Sequence, residues 1–194
     1  MAKRKTNLDK VNIVLGVSGG AAAYKAVDLA SKLTGAGATV RTVMTQSACE
    51  LVGPKSFEAV TGGAVYTSLW SGCDEFAMGH ISLADWADII VVAPATANII
   101  GKFVNGICDD LMSTVLCACW DKPMLMAPAM NSRMWENPAV QRNVRVLKQT
   151  GIGITGPEVG RLACGEEGIG RMSEPQQILE AIERIAAKIK RTKK

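Results

Sequence analysis

His80 is the only histidine among 194 residues, and it stands in Met78-Gly79-His80-Ile81, ahead of a short helix through Trp86. Imidazole is the side chain whose ordinary pKa suits proton exchange near neutral pH, so His80 reads either as a base or as a satisfied structural residue. Cys164 lies in Leu162-Ala-Cys-Gly-Glu-Glu-Gly-Ile-Gly-Arg171, where glycine-rich backbone is an unusual place for a structural cysteine. A thiol of ordinary pKa, about 8.5, is mostly protonated at neutral pH and can act as an acid. Asn131, in Pro128-Ala-Met-Asn-Ser-Arg-Met-Trp135, offers a neutral amide that can hold a carboxylate through its N–H groups. The same stretch also reads as a strand-to-helix turn with Met and Trp packed on a core. With one histidine and no C-x-x-C spacing among Cys49, Cys73, Cys108, Cys117, Cys119 and Cys164, a structural zinc site is not expected. The cysteines other than Cys164 are expected to be mostly small, buried, reduced core residues.

These groups need elements to hold them. Strands are expected at Val11–Val17, Thr39–Met44, Ile89–Ala93 (stopped by Pro94), Pro123–Ala127 (stopped by Pro128) and Ile152–Ile154. Helices are expected over Ala21–Leu33, Ala97–Val104, Leu111–Cys119, Val140–Gln149 and Glu174–Ile189. Apolar strands followed by helices imply an α/β fold: a doubly wound, mostly parallel sheet in a Rossmann- or flavodoxin-like three-layer sandwich. In such sheets ligands collect along the carboxyl edge. Gly16-Val-Ser-Gly-Gly20 there suits either a phosphate at a helix N-terminus or a plain tight turn. Met44-Thr-Gln-Ser47 offers hydroxyls or a helix cap. Ala93-Pro-Ala-Thr-Ala-Asn98 leaves room for a flat ring, with Thr96 a possible cap.

One domain spanning 1–194 is expected, with a basic tail over 1–10 and a glycine-dense segment over 156–172 that is too long for an ordinary connection. The net charge of +4 owes much to Lys3, Arg4 and Lys5 and to Lys188, Lys190, Arg191, Lys193 and Lys194, which read as solvated termini. With 5% aromatics there is no stacking platform for nucleic acid. The basic start, the apolar run and Ala21-Ala22-Ala23 mimic a secretory signal, but Asn12, Gly16 and Ser18-Gly19-Gly20 fit a strand entering a glycine turn better. No apolar run reaches the ~18–20 residues of a membrane span. A cytoplasmic protein is expected.

Four patterns occur in order: His80-Ile-x-Leu83, Ala93-Pro-x-x-Ala-Asn98, Pro128-Ala-Met-Asn-x-x-Met-Trp135 and Ala163-Cys-Gly-x-x-Gly-x-Gly-Arg-Met172. Together they resemble the homo-oligomeric flavin-containing cysteine decarboxylases, in particular the phosphopantothenoylcysteine decarboxylases, over roughly Val11 to Ile182. The resemblance implies FMN as cofactor, contacted by Gly19, Gly20, Ala21, Thr45, Ser47, Thr96, Ala97, Asn98 and Ala129. It implies 4′-phosphopantothenoylcysteine as substrate, decarboxylated through a thioaldehyde and an enethiolate to 4′-phosphopantetheine in coenzyme A biosynthesis. His80 would be the base and Cys164 the proton donor. Asn131 would hold the carboxylate, and Ala163, Gly165 and Met172 would contact the substrate within a closing clamp at 156–172.

Such relatives form trimers with FMN at the subunit boundary, some assembling into dodecamers. A phosphopantothenate–cysteine ligase is expected as a separate partner. The alternatives are a peptidyl-cysteine decarboxylase of lantibiotic maturation, a prenyl-FMN-forming transferase and a non-catalytic phosphatase regulator. The third pattern and the cysteine segment disfavour the transferase. The basic end of the chain, with His80, Asn131 and Cys164, disfavours the regulator.

Overall fold

The computed structural model describes residues 8–70 and 79–192. Lys3, Arg4 and Lys5 of the expected tail, with Cys73, Met78, Lys193 and Lys194, lie outside the described residues. The elements run β1 (Asn12–Val17), α1 (Ala23–Gly35), β2 (Thr39–Met44), α2 (Gln46–Cys49), α3 (Pro54–Thr61) and β3 (Val65–Tyr66). Next come α4 (Gly79–Trp86), β4 (Ile89–Ala95), α5 (Ala97–Val104), α6 (Leu111–Ala118) and β5 (Met124–Pro128). The chain continues through α7 (Ser132–Trp135), α8 (Pro138–Gln149), β6 (Gly153–Ile154), β7 (Glu158–Arg161), β8 (Glu167–Arg171) and α9 (Pro175–Thr192).

Among the described residues β1 to β6 form one parallel sheet in the order β3-β2-β1-β4-β5-β6. The central strands are apolar on both faces because both are covered. In β4, Ile89, Val91 and Ala93 join one core while Ile90, Val92 and Ala95 join the other. The first core is closed by Leu29 and Leu33 of α1, Phe57 of α3 and Ile178 and Ile182 of α9. The second is closed by Leu83 of α4, Ile99 and Ile100 of α5, Val115 and Leu116 of α6 and Leu147 of α8. This is the three-layer, doubly wound arrangement read from the sequence.

Winding reverses between β1 and β4, which opens a crevice beyond their carboxyl ends. The turns after β1, β2, β4 and β5 all open at that edge, so segments far apart in sequence meet there.

Several expectations need correction. Pro94 does not stop β4, which continues to Ala95. The register to β5 shifts between Val92 and Ala95, and proline is tolerated at such an irregularity. Residues 8–10 are not tail: Leu8 is fully buried in the first core, and Val11 N–H donates to its carbonyl at 3.0 Å. The segment 156–172 is not an irregular loop. It holds an antiparallel hairpin, β7 paired with β8, whose tip bears Cys164. Of the five cysteines described, only Cys119 is buried, its thiol pushed up to about 11 by burial, while Cys108, Cys117 and Cys164 are exposed. The pattern of α6 explains this, because Val115, Leu116 and Cys119 face the core and Cys117 points away from it.

Candidate active site

A cavity of about 1070 Å³ occupies the carboxyl edge. Small-molecule pockets commonly span ~300–1,000 Å³, so it has room for a cofactor and a substrate together. Gly19, Gly20, Ala21, Thr45, Ser47, Thr96, Asn98, Ala129, Asn131, Ala163, Cys164 and Met172 all line it. Ala97, Gly165 and His80 do not.

The floor is the β1–α1 turn. No side chain caps α1, whose N-cap is Ala22; Ala23 and Lys25 N–H donate to the Gly20 and Ala22 carbonyls at 2.8 and 3.0 Å, and the positive end of the helix faces the cavity. Gly19 has no spare room: a Cβ there would strike the Ser47 side chain. Ser18 ties this turn to the next, its Oγ donating to the Pro94 carbonyl at 2.7 Å and accepting from Thr96 N–H at 3.1 Å. Thr45 and Thr96 cap α2 and α5, accepting from Ala48 N–H at 3.2 Å and Ile99 N–H at 3.4 Å. The Thr45 hydroxyl keeps its own proton to donate to a ligand, whereas Thr96 Oγ1 also lies 3.1 Å from Ser18 Oγ.

Asn131 is the N-cap of α7. Its Oδ1 accepts from Arg133 N–H at 2.9 Å, which fixes the amide and leaves Nδ2 to donate. Nδ2 meets Cys164 Sγ at 3.4 Å, and Sγ lies 3.9 Å from Glu166 Oε2. The hairpin holds Cys164 there through close glycine contacts. Cβ atoms at Gly168 and Gly170 would strike Ser132 Oγ and the Met130 carbonyl, and Met130 N–H donates to the Gly170 carbonyl at 3.0 Å. Met172, 1% exposed, is a core residue as well as part of the wall.

His80 stands apart. It is the second residue of α4, half-buried, and this chain does not bring it to Asn131 and Cys164. Because α4 runs toward the amino end of β4, His80 sits at the helix end nearer the carboxyl edge, in the outer layer.

The sequence reading passed over Lys25, Lys102, Asp110, Arg161 and Arg171, which also line the cavity. Lys25 pairs with Glu174 at 2.9 Å. Lys102, 17% exposed, lies 2.6 Å from Asp109 and 2.7 Å from Asp110. Burial would raise the Asp110 carboxyl, but the Lys102 ammonium and the Ser113 donors outweigh it and hold it below its ordinary value. Burial likewise opposes charge on Lys102, and the two aspartates more than offset it.

Asp110 is also the N-cap of α6 in a reciprocal box with Ser113. Asp110→Ala is expected to cost about 0.5–2 kcal/mol, as lost caps do, read from the urea midpoint. Since the folded carboxyl is depressed, its contribution is complete above the unfolded value near 3.9 and fades as pH falls through the lower folded value. The gap between wild type and variant should therefore hold at neutral pH and close only in strong acid.

Residues 1–187 match the Flavoprotein family. The chain is 49% identical over 177 residues to the coenzyme A biosynthesis bifunctional protein CoaBC of Bacillus subtilis (strain 168), covering 91% of this chain and 43% of that protein. It thus spans less than half the length of that curated relative. Among solved structures it resembles a cysteine-to-serine mutant of PPC decarboxylase complexed with pantothenoylaminoethenethiol. The TM-score is 0.81 at 34% identity, covering 91% of this chain and 98% of the other. It also resembles the FMN-dependent cysteine decarboxylase SpaF, with TM-score 0.80 at 35% identity, covering 93% and 99%. A match over nearly the whole sequence, with these likenesses in fold and identity, establishes that the chain belongs to the Flavoprotein family.

Proposed function

We propose that this chain is an FMN-dependent phosphopantothenoylcysteine decarboxylase, releasing CO₂ from 4′-phosphopantothenoylcysteine to give 4′-phosphopantetheine in coenzyme A biosynthesis. The observation that carries this reading is the 3.4 Å contact between Asn131 Nδ2 and Cys164 Sγ on the cavity wall. It unites a carboxylate-binding donor and a proton donor 33 residues apart, both on the cavity wall.

The residues present fit FMN. The uncapped start of α1 with Gly19, Gly20 and Ala21 suits its phosphate. Thr45, Ser47, Thr96 and Asn98 supply hydrogen bonds, and Ala129 leaves space for a flat ring. Ala97, between Thr96 and Asn98, is not itself part of the lining. The chemistry a bound flavin supplies is reversible two-electron exchange with the carbon and sulfur of the substrate's CH₂–SH arm.

The protein's own residues handle protons and position. His80 removes the thiol proton. Asn131 holds the carboxylate beside the carbon that is oxidised, so that CO₂ departs from the thioaldehyde and leaves an enethiolate. Cys164 then gives a proton to carbon. The hairpin, with Ala163, Gly165 and Met172 against the substrate, keeps water from these intermediates. His80 is not in the cavity of its own chain, so it serves the cavity of a neighbouring copy in a homotrimer or in a dodecamer of four trimers. The substrate comes from a phosphopantothenate–cysteine ligase, fused or separate.

No helix among the described residues is long and apolar enough to cross a membrane. The protein works in the cytoplasm, where disulfides, when present, are mostly transient. The test is CO₂ release by FMN-loaded protein from 4′-phosphopantothenoylcysteine and from a peptide ending in cysteine. Turnover of the peptide alone would favour the lantibiotic reading.

A further inference from the structure

Outside the cavity, Cys108 and Cys117 are both exposed and both reduced. Cys108 lies in the turn before α6, where its carbonyl accepts from Thr114 Oγ1 at 3.4 Å. Cys117 is one helical turn beyond Thr114, on the same face, and helical side chains lean back toward the N-terminus. The turn and the helix thus bring the two thiols to one face, where Cys108 Sγ donates to the Gly106 carbonyl at 3.6 Å and Cys117 is its thiol neighbour. We propose that this pair is a reversible dithiol–disulfide site, a modification site independent of the decarboxylation chemistry.

Removal from water raises the Cys108 thiol above its ordinary value, and Cys117, Asp109 and Asp110 add to the effect. The oxidant is a low-molecular-weight disulfide, RSSR. One cysteine thiolate attacks it, forming a mixed disulfide and releasing RS⁻, which takes up the proton lost from that cysteine. The second cysteine then displaces the remaining RSH. The protein loses two hydrogens with two electrons, and RSSR becomes two RSH.

Oxidised glutathione added to the FMN-loaded protein tests this. Expected are the loss of two titratable thiols, a mass lower by about 2 Da and a Cys108–Cys117 cross-link on peptide mapping, all reversed by dithiothreitol. Cys108→Ser and Cys117→Ser each abolish the cross-link, leave one glutathione adduct on the remaining cysteine and leave decarboxylase turnover unchanged. Dibromobimane, which bridges close thiols, provides a check on wild-type protein alone and should link the same two residues. Glutathione adducts on both cysteines without a cross-link, links to other cysteines, or no reaction would overturn the proposal.

Discussion

His80→Ala is expected to slow CO₂ release about 10²–10⁴-fold, the usual contribution of a positioned acid or base, while flavin binding stays intact. Flavin binding survives because the residues proposed to hold FMN, such as Gly19, Thr45, Ser47, Thr96 and Asn98, do not include His80. The location of His80 sharpens the experiment. If it acts on a neighbouring copy, each working site combines His80 of one subunit with Asn131 and Cys164 of the next. Co-expressing His80→Ala and Cys164→Ser chains in equal amounts would then restore about a quarter of wild-type turnover, the random chance that a site draws both intact halves in a closed ring. Two inactive variants that stay inactive together would place the whole reaction within one chain and contradict the shared-site account.

Cys164→Ser separates the two halves of the reaction. With Asn131 in place, the carboxylate is still held and CO₂ still leaves. The serine hydroxyl is a far weaker acid than the thiol, so proton return to carbon fails. Formation of the saturated product should fall by about 10²–10⁴-fold, and the enethiol should accumulate, measured by mass spectrometry. The similar PPC decarboxylase mutant, also cysteine to serine, is complexed with pantothenoylaminoethenethiol, the species this outcome requires in unphosphorylated form. Saturated product at the wild-type rate would remove Cys164 from its role.

Much of this arrangement was legible in the residues. Apolar runs buried on two faces gave β1, β2, β4 and β5 and hence the sheet, because few other environments suit Ile89–Val92. β3, two residues long, carries too little pattern to be found, whereas the equally short β6 was read at Ile152–Ile154. The hairpin escaped for a different reason. Gly168 and Gly170 are required by close approach to Ser132 and Met130, and glycine leaves no side chain to show the alternation of a strand. A usable clue was Gly165 at φ 89, closing a tight turn in which its N–H donates to the Leu162 carbonyl at 2.9 Å. Lys102 and Asp110 were missed because their worth lies in a pairing eight residues apart across a turn, and Ser18 because its partners are 76 and 78 residues away. His80 and Cys164 were identified as chemical groups, but nothing in a single sequence tells whether two groups meet within one chain or between two.

The most direct measurement is simultaneous quantitation of CO₂ and 4′-phosphopantetheine from FMN-loaded protein and authentic 4′-phosphopantothenoylcysteine. The account expects both in equal amounts over many turnovers, with no external oxidant or reductant consumed. Absence of CO₂ with flavin and substrate both bound, or CO₂ without the saturated thiol from the wild-type protein, would contradict it.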